Sequence, residues 1–310
     1  VPLQLLPKEI NGVRIIGIDV PGFGVPTHAE AKDVLAGAML KYAREEIMHG
    51  PVAAPRAGRG DKPTVALLGE MFPADPVIIG QMLAPMGLAA GPVVPTREWR
   101  ELYAALDCSV AAAIHPFYTA SVREFKAAGR PIVGSAPVGL EGTQDWLQNI
   151  GQAAGIAQAQ IDLARNQALT QMRGLLMQKP ISGRITLSGY EGSELLVGRL
   201  LVESGADLRY VGSACARSAW SEADCQWLQA HGVRVQYRAS LEQDLAAMHE
   251  FTPEIEKVAQ EILEYSLTRL KDNPPLDGPK SEAELFAIVG NTITESGLGG
   301  SEALQLFTQT

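Results

Sequence analysis

The sequence predicts an α/β protein built from stacked Rossmann-type domains with parallel sheets. Short apolar runs alternate with amphipathic segments along most of the 310 residues, and turns rich in Gly and Pro separate them. The clearest unit spans residues 109–139, where the apolar run Val110–Ile114 leads through a helical pattern to Pro131–Val133. Two buried runs joined by a helix are typical of a parallel βαβ unit. Three such series along the chain predict stacked doubly wound domains.

The first 50 residues predict a strand and a helix that end a truncated N-terminal domain. Val13–Val20 has the β-branched composition of a buried strand, and the following loop, 21–26, presents Phe23. Thr27 with Glu30 fits a capping box that opens a helix to about residue 49. Residues 50–63, rich in Pro, Gly and Arg, predict a linker and a domain boundary.

Two further α/β units follow the linker, and a long helix connects them. The second domain is expected over 64–155, the connecting helix over 156–180 and a partial third domain over 183–248. One helix is expected from about Asp75 to Met86, and Thr96 and Thr143 are expected to cap two further helices that end at Leu106 and Ala153. The predicted strands are 64–69, 92–95, 110–114, 131–133, 183–188, 208–212 and 233–237.

Charge and composition exclude several classes of protein. The net charge is −9, of which residues 249–310 contribute −7, so there is no basic face for nucleic acid. The chain contains no run of eighteen apolar residues, which argues against a membrane span. Three cysteines without metal-type spacing predict a reduced, cytoplasmic protein, and the Val at position 1 predicts a natural chain that begins upstream.

Unusual residues follow two predicted strands of the second domain. His115, Phe117 and Tyr118 come directly after one strand, and the glycine-rich loop 134–139 follows the next. Ligands of open parallel sheets bind outside the carboxyl ends of the strands. An aromatic crevice with one proton-bearing imidazole suits a flat, apolar ligand. Glu70, at the end of its own strand, is a second candidate proton group, although strand-end glutamates and histidines often have only local structural roles.

The turn Gly189–Ser193 lies between a predicted strand and a helix, where a phosphate-binding loop would lie. It matches neither GxGxxG nor a Walker sequence, and Glu191 would repel a phosphate. A tight packing turn is the commoner structure here, and a recognition loop with Tyr190 facing a cleft is a further alternative. No nucleophile-elbow pattern is present, which disfavours a covalent hydrolase.

Five stretches of the chain carry a family resemblance. They are GIDVPGFGVPTHAEAKDVLAGAML (17–40), PVVPTREWRELYAALDC (92–108), AIHPFYTASVREFKAAGRPIVGSAPVG (113–139), GRITLSGYEGSELLVGRLLVESGADLRYVG (183–212) and GVRVQYRASLEQDLAAM (232–248). They resemble the Y subunits of chlorophyllide reductase, a nitrogenase-like family of oxidoreductases in bacteriochlorophyll biosynthesis. The resemblance covers residues 1–248.

The resemblance implies a fold and an activity. Family members have three Rossmann-like domains, and a Y subunit pairs with a Z-type subunit in a heterotetrameric catalytic component. A separate ATP-hydrolysing iron–sulfur protein, fed by ferredoxin, delivers electrons through a [4Fe-4S] cluster to chlorophyllide a, whose C7–C8 double bond is reduced. Each electron needs a proton. His115 and Glu70 are therefore the expected catalytic proton donors, and Phe23, Phe117, Tyr118 and Tyr190 the expected walls of the tetrapyrrole cleft.

Two departures from the family pattern lead to alternatives. None of Cys108, Cys215 and Cys225 matches a cluster ligand, which favours a non-catalytic binding or assembly module as the rival function. Residues 249–310 are expected to form a helical tail foreign to the family, with a faint resemblance to the N-terminal arm of group II pyridoxal-phosphate decarboxylases. The body lacks the motifs of such an enzyme. The expectation is that this chain alone is inactive.

Overall fold

The computed structural model describes residues 9–11, 13–20, 25, 27–49, 62–69, 75–178, 181–189 and 191–253. The chain divides into two compact units, Val1–Ser240 and Leu241–Thr310. In the second unit the described residues form one helix, Leu241–Phe251. The predicted tail beyond residue 253 lies outside the described residues.

Strands and helices alternate through the first unit. The strands are β1 (Glu9–Ile10), β2 (Val13–Arg14), β3 (Thr64–Leu68), β4 (Ala89–Val94), β5 (Val110–Ala113), β6 (Ile132–Gly134), β7 (Arg184–Gly189), β8 (Asp207–Ser213) and β9 (Arg234–Tyr237). The helices are α1 (His28–His49), α2 (Pro76–Leu83), α3 (Trp99–Leu106), α4 (Thr119–Ala127), α5 (Leu140–Ala153), α6 (Gln158–Gln178), α7 (Glu194–Glu203) and α8 (Glu222–Ala230). A 3₁₀ turn, Ala84–Met86, extends α2. No helix of the described residues has the length and apolar character that crossing a membrane requires.

Two parallel sheets organise the unit and confirm the predicted fold class. The first has the strand order β4-β3-β5-β6 and the second β7-β8-β9. Parallel sheets need cover on both faces, and the central strand β3 shows this directly. Val65 and Leu67 lie in one core cluster with residues of α2, α5 and α6, whereas Ala66 and Leu68 lie in another with residues of α1, α3 and α4. The long helix α6 lies in the chain between the last strand of the first sheet and the first strand of the second.

The N-terminal strand prediction was wrong. Val13–Val20 was expected to be a buried strand, but only Val13–Arg14 is extended in a ladder, paired antiparallel with Glu9–Ile10. Val13 is 65% exposed and Val20 is 38% exposed. An apolar run becomes a buried strand only where neighbouring strands and helices cover it, and the described residues supply only this two-residue partner.

Two predicted helix caps were also wrong. Helix α3 begins at Trp99, and Glu98 and Glu101, not Thr96, form its capping box. Helix α5 begins at Leu140, so the buried Thr143 lies inside its first turn. The start of α5 is fixed by the carboxylate of Glu203, which accepts hydrogen bonds from the backbone N–H groups of Leu140 and Glu141. A capping residue that lies 62–63 positions along the chain leaves no local sequence signal.

Candidate functional site

The residues after β5 form a buried aromatic cluster. His115, Phe117 and Tyr118 are all buried, and the imidazole lies 5.9 Å from the Phe117 ring and 4.7 Å from the Tyr118 ring, between centroids. The Phe117 ring also contacts Tyr237 at the end of β9, edge to face at 6.4 Å. The fold brings together the three residues that were predicted to follow this strand, and the cluster reaches both sheets.

Both ring nitrogens of His115 have partners. Nε2 lies 3.0 Å from the carbonyl oxygen of Glu191, and Nδ1 accepts a long hydrogen bond of 3.4 Å from the Phe117 N–H. These contacts assign the proton of the neutral ring to Nε2. Burial lowers the pKa of His115 to about 4, with a smaller contribution from the charge of Lys32. At neutral pH the imidazole is therefore uncharged.

Two glycines bring backbone close to the imidazole. A Cβ on Gly192 (φ +88°) would lie 2.5 Å from Cε1 of His115 and 2.8 Å from Cδ2 of Phe117. A Cβ on Gly69 (φ +104°), just after β3, would lie 2.1 Å from the Cβ of His115. Only a residue without a side chain fits at these points, and both have positive φ values that glycine adopts readily. The glycines thus close the cluster from two sides.

Glu194 lies buried beneath the same loop. One of its carboxylate oxygens accepts hydrogen bonds from the N–H groups of Glu191 (3.0 Å) and Gly192 (3.1 Å), and the other accepts one from the Ser213 hydroxyl (2.9 Å). Burial raises the pKa of Glu194 in spite of these donors. The loop N–H groups that a phosphate would use are occupied by this carboxylate, which agrees with a packing turn and not a nucleotide site.

Carboxylates occupy two more strand-to-helix junctions in the same way. At the start of α4, Asp33 accepts hydrogen bonds from the N–H groups of Ala120 (2.6 Å) and Ser121 (2.8 Å). At the start of α5, Glu203 has that role. Burial is the largest cause of the raised pKa values of both Asp33 and Glu203. Each acid compensates the unpaired N–H groups and the positive end of a helix.

The structural roles of three acids, Glu194, Asp33 and Glu203, were not predicted from the sequence. An acid in the first turn of a helix is a weak signal for Glu194, but the partners of Asp33 and Glu203 lie more than 60 residues away. Three predicted site residues, Phe23, Glu70 and Tyr190, fall outside the described residues. Their roles stay predictions.

The described cysteines do not form a metal centre. Cys108, Cys215 and Cys225 are free and buried. Burial raises the pKa of Cys108 to about 11 and that of Cys215 to about 12, and it also raises the pKa of Cys225. Within the described part of the chain, no three His, Cys, Asp or Glu side chains gather as metal ligands would. Thiols that resist ionisation are poor metal ligands.

Parallel sheets with polar residues collected at the carboxyl ends of their strands define a protein of the doubly wound α/β class. The chain belongs to the nitrogenase component 1 type oxidoreductase family, whose model matches residues 2–256. The solved structure of nitrogenase Cp1 at pH 6.5 has a TM-score of 0.52 with this chain, over 73% of this chain and 52% of that one. At 13% identity, this likeness supports the fold alone.

Two curated relatives are much more similar in sequence. The chlorophyllide reductase 52.5 kDa chain of Cereibacter sphaeroides is 63% identical over 302 residues, which cover 94% of this chain and 60% of the relative. The chain of the same name from Rhodobacter capsulatus is 67% identical over 255 residues, covering 82% of this chain and 51% of the relative. This chain therefore spans about half to three fifths of their length. Residues 1–248 make up only four fifths of this chain, and the first match covers 94% of it. That match therefore includes residues after Met248.

Family membership implies iron–sulfur chemistry, and the described residues do not fit a cluster. The three thiols belong to different surroundings: Cys108 packs in the core with α1 and α3, Cys225 packs with Leu208 and Val233, and Cys215 lies 3.9 Å from the Thr27 hydroxyl. A cluster needs several thiolates that converge on one point. No reaction step is therefore assigned to a cluster held by these residues.

Proposed function

We propose that this chain is part of the catalytic component of a chlorophyllide reductase, an oxidoreductase that reduces the C7–C8 double bond of chlorophyllide a in bacteriochlorophyll biosynthesis. The observation that carries the proposal is the 63% identity over 302 residues to a chlorophyllide reductase chain. Electrons come from ferredoxin through an ATP-hydrolysing iron–sulfur reductase in the cytoplasm. The chain is inactive on its own and works with a Z-type subunit.

The cluster that receives these electrons is held by residues other than the described cysteines. The burial and separation of Cys108, Cys215 and Cys225 support this part of the proposal. A [4Fe-4S] cluster supplies single electrons when bound, while this chain contributes to pigment binding and proton supply. The four aromatic residues proposed as walls of the tetrapyrrole cleft are Phe23, Phe117, Tyr118 and Tyr190.

Proton supply is assigned to Glu70 and His115, and the structure adds a condition for the second. The neutral imidazole directs its Nε2 proton to the Glu191 carbonyl. Delivery from His115 therefore requires the 191–192 loop to move away from the ring and the imidazole to take up a second proton, because the neutral ring is a very weak acid. Glu194 joins the proposed set, because its carboxyl holds a proton to a higher pH than an ordinary glutamate and it contacts the same loop. Groups with perturbed pKa values are common at sites of proton transfer.

A second candidate function is a non-catalytic assembly module of the same fold. The observation that favours it is the lack of a ligand set for a cluster among the described residues. In this case, the chain binds the Z-type subunit without binding pigment.

A chimera tests the two functions against each other. In the Cereibacter sphaeroides 52.5 kDa chain, the matching segment is replaced by residues 2–256 of this chain, and the chimera is purified anaerobically with the Z-type subunit and the reductase component. We expect the chimera to assemble and to convert chlorophyllide a with ATP and a ferredoxin-type donor. The conversion is monitored as a shift of the pigment's long-wavelength absorption band. The unaltered relative is the positive control, and omission of ATP is the negative one.

The outcomes separate the candidates. Assembly with pigment binding and turnover supports the catalytic assignment. Assembly without pigment binding or turnover supports the assembly module and contradicts the catalytic role. If the chimera turns over, Glu70→Gln and His115→Gln variants that leave turnover unchanged would exclude these residues as proton donors.

A further inference from the structure

A cleft of about 380 Å³ lies between α5 of the first sheet and helices α7 and α8 of the second. Its lining includes Ser135, Gly142, Trp146, Arg199 and Trp220. It shares no residue with the aromatic cluster of His115, Phe117 and Tyr118. The volume is in the range of small-molecule sites, and two indole rings give it apolar walls.

The charged group in this cleft is a buried arginine that uses only part of its hydrogen-bonding capacity. The Arg199 side chain is 4% exposed, and its Nη1 donates to the Asp224 carboxylate at 2.7 Å. The Ser135 hydroxyl donates to the same carboxylate oxygen at 3.0 Å. Nε and Nη2 of Arg199 have no acceptor among the residues that the structure describes.

The two unused nitrogens lie on one edge of the guanidinium. The N–H bonds of Nε and Nη2 are nearly parallel, and this edge binds a carboxylate through two hydrogen bonds side by side. A Cβ built on Gly142, which lines the cleft, lies 3.5 Å from Nη2. Gly142 has no side chain to cover this edge, but both nitrogens are themselves buried, so a ligand reaches them only when neighbouring side chains of the cleft shift. Buried donors without acceptors are rare in native proteins.

A second unpaired donor lies in the same lining. Nε1 of the buried Trp146 has no acceptor within the described ranges. Trp227 stacks below the guanidinium, with the Arg199 Cζ 4.8 Å from the ring centroid, and so holds the plane of the arginine in place. The cleft therefore offers an excess of N–H donors over acceptors, next to aromatic surface.

Nearby charges limit the ligand to a small negative charge. Asp224 is bound to Arg199, and the exposed Asp145 also lines the cleft. Glu203 also interacts electrostatically with Arg199. With three carboxylates and one guanidinium, the site would repel a dianionic phosphate more strongly than a singly charged group. A monoanion with two parallel acceptor oxygens fits the remaining edge of Arg199.

We propose that this cleft is a binding site for the carboxylate of a small molecule with an aromatic or apolar body, held by Nε and Nη2 of Arg199 between Trp146 and Trp220. The inference goes beyond the proposed function, because it concerns a separate site and does not depend on pigment reduction. The carboxylate fills the two donor positions that the protein leaves open, and the indoles cover the body of the ligand.

Calorimetric titration of the full chain at neutral pH tests the proposal. The probes are sodium benzoate, its uncharged analogue benzamide, and inorganic phosphate. We expect saturable binding of benzoate, at least tenfold weaker binding of benzamide, and weaker binding of phosphate. Arg199→Lys keeps a charge beside Asp224 but removes the fork, so benzoate affinity falls at least tenfold. The matched control is Arg209→Lys, at an exposed arginine that pairs with Asp207, which retains the wild-type affinity.

Several results would overturn the proposal. One is the absence of saturable benzoate binding to the full chain. Another is equal affinity for benzoate and benzamide in the wild-type protein, a comparison that stands even if Arg199→Lys fails to fold. Phosphate binding as tight as benzoate binding would contradict the carboxylate assignment. Circular dichroism shows whether the lysine variant is folded, and a folded variant with wild-type affinity would also contradict it. None of these results bears on pigment turnover, so the two proposals fail independently.

Discussion

The aromatic cluster around His115 and the cleft around Arg199 both lie where residues of the first sheet meet residues of the second, yet they differ in polar pairing. In the cluster, both nitrogens of His115 and both oxygens of Glu194 have partners. In the cleft, two nitrogens of Arg199 and one oxygen of Asp224 lack partners among the described residues. Complete pairing stabilises a contact between sheets, whereas incomplete pairing of buried groups indicates that a further molecule completes the site.

The largest effect on this contrast is expected from Asp224→Ala. It leaves the guanidinium of Arg199 buried without its anion, and breaking a buried pair in this way costs about 3–5 kcal/mol of unfolding free energy. Urea denaturation followed by tryptophan fluorescence measures the change. Asp207→Ala is the control, because Asp207 pairs with Arg209 and Arg184 in an exposed position. Equal losses for the two variants would show that the Arg199–Asp224 pair has no special importance.

A somewhat smaller effect is expected from Gly192→Ala in the cluster. The new Cβ would meet His115 and Phe117 at less than 3 Å, so the loop or the rings must move, at a cost of about 3 kcal/mol. Gly232→Ala has a similar positive φ of +80° and open space around it, and should cost only about 1 kcal/mol. Thermal or urea unfolding of both variants gives the comparison. A Gly192 variant no less stable than the Gly232 variant would mean that the loop does not pack on the imidazole.

The pH dependence of stability sharpens the comparison within the cluster. The pKa of His115 falls to about 4 on folding. The neutral ring therefore contributes stability at pH values above the usual pKa of histidine, and this contribution is lost as pH falls. Between pH 7 and pH 5 the loss is about 2 kcal/mol. In His115→Gln, unfolding free energy should fall less over this interval. Phe117→Leu disturbs the same cluster without a titratable group, and it should lower stability equally at both pH values.

The smallest effect, opposite in sign, is expected from Glu194→Gln. The raised pKa of Glu194 means that its stabilising contribution is present at low pH and is lost as pH rises through the folded-state pKa. Relative to the wild type, the glutamine variant should therefore be more stable at pH 8 than at pH 5. The Ser213 hydroxyl can turn to accept from the new amide. A variant whose relative stability rises toward low pH would contradict the assignment.

The sequence was a good guide to the sheets because parallel strands buried on both faces are continuous apolar runs. The strands β3, β5, β7, β8 and β9 lie within two residues of their predicted positions at each end. Strand β4 begins three residues earlier than predicted, since Ala89, Ala90 and Gly91 have little strand preference. The resemblance to nitrogenase-like proteins was confirmed by the family match.

The candidate sites were only partly predictable. His115, Phe117 and Tyr118 lie within four positions of each other, directly after one strand. Their clustering could therefore be predicted from the sequence. Arg199 gave no such signal, because it lies within an ordinary amphipathic helix and its significance comes from Asp224 and Gly142, on two other helices. Which side chains form an ion pair across helices, and which polar atoms stay without a hydrogen bond, is decided only when the chain folds. The sequence alone therefore does not show either.

The carboxylates of Asp33, Glu203 and Glu194 at three strand-to-helix junctions have a consequence for competition with solutes. Doubly wound proteins commonly bind nucleotides at such junctions. Here any free phosphate must displace an anion that is covalently part of the protein and is present at a high effective concentration. ATP and ADP therefore compete at these positions with a carboxylate that is already in place, and the junctions act as built-in competitive inhibitors of a binding mode that the fold otherwise favours.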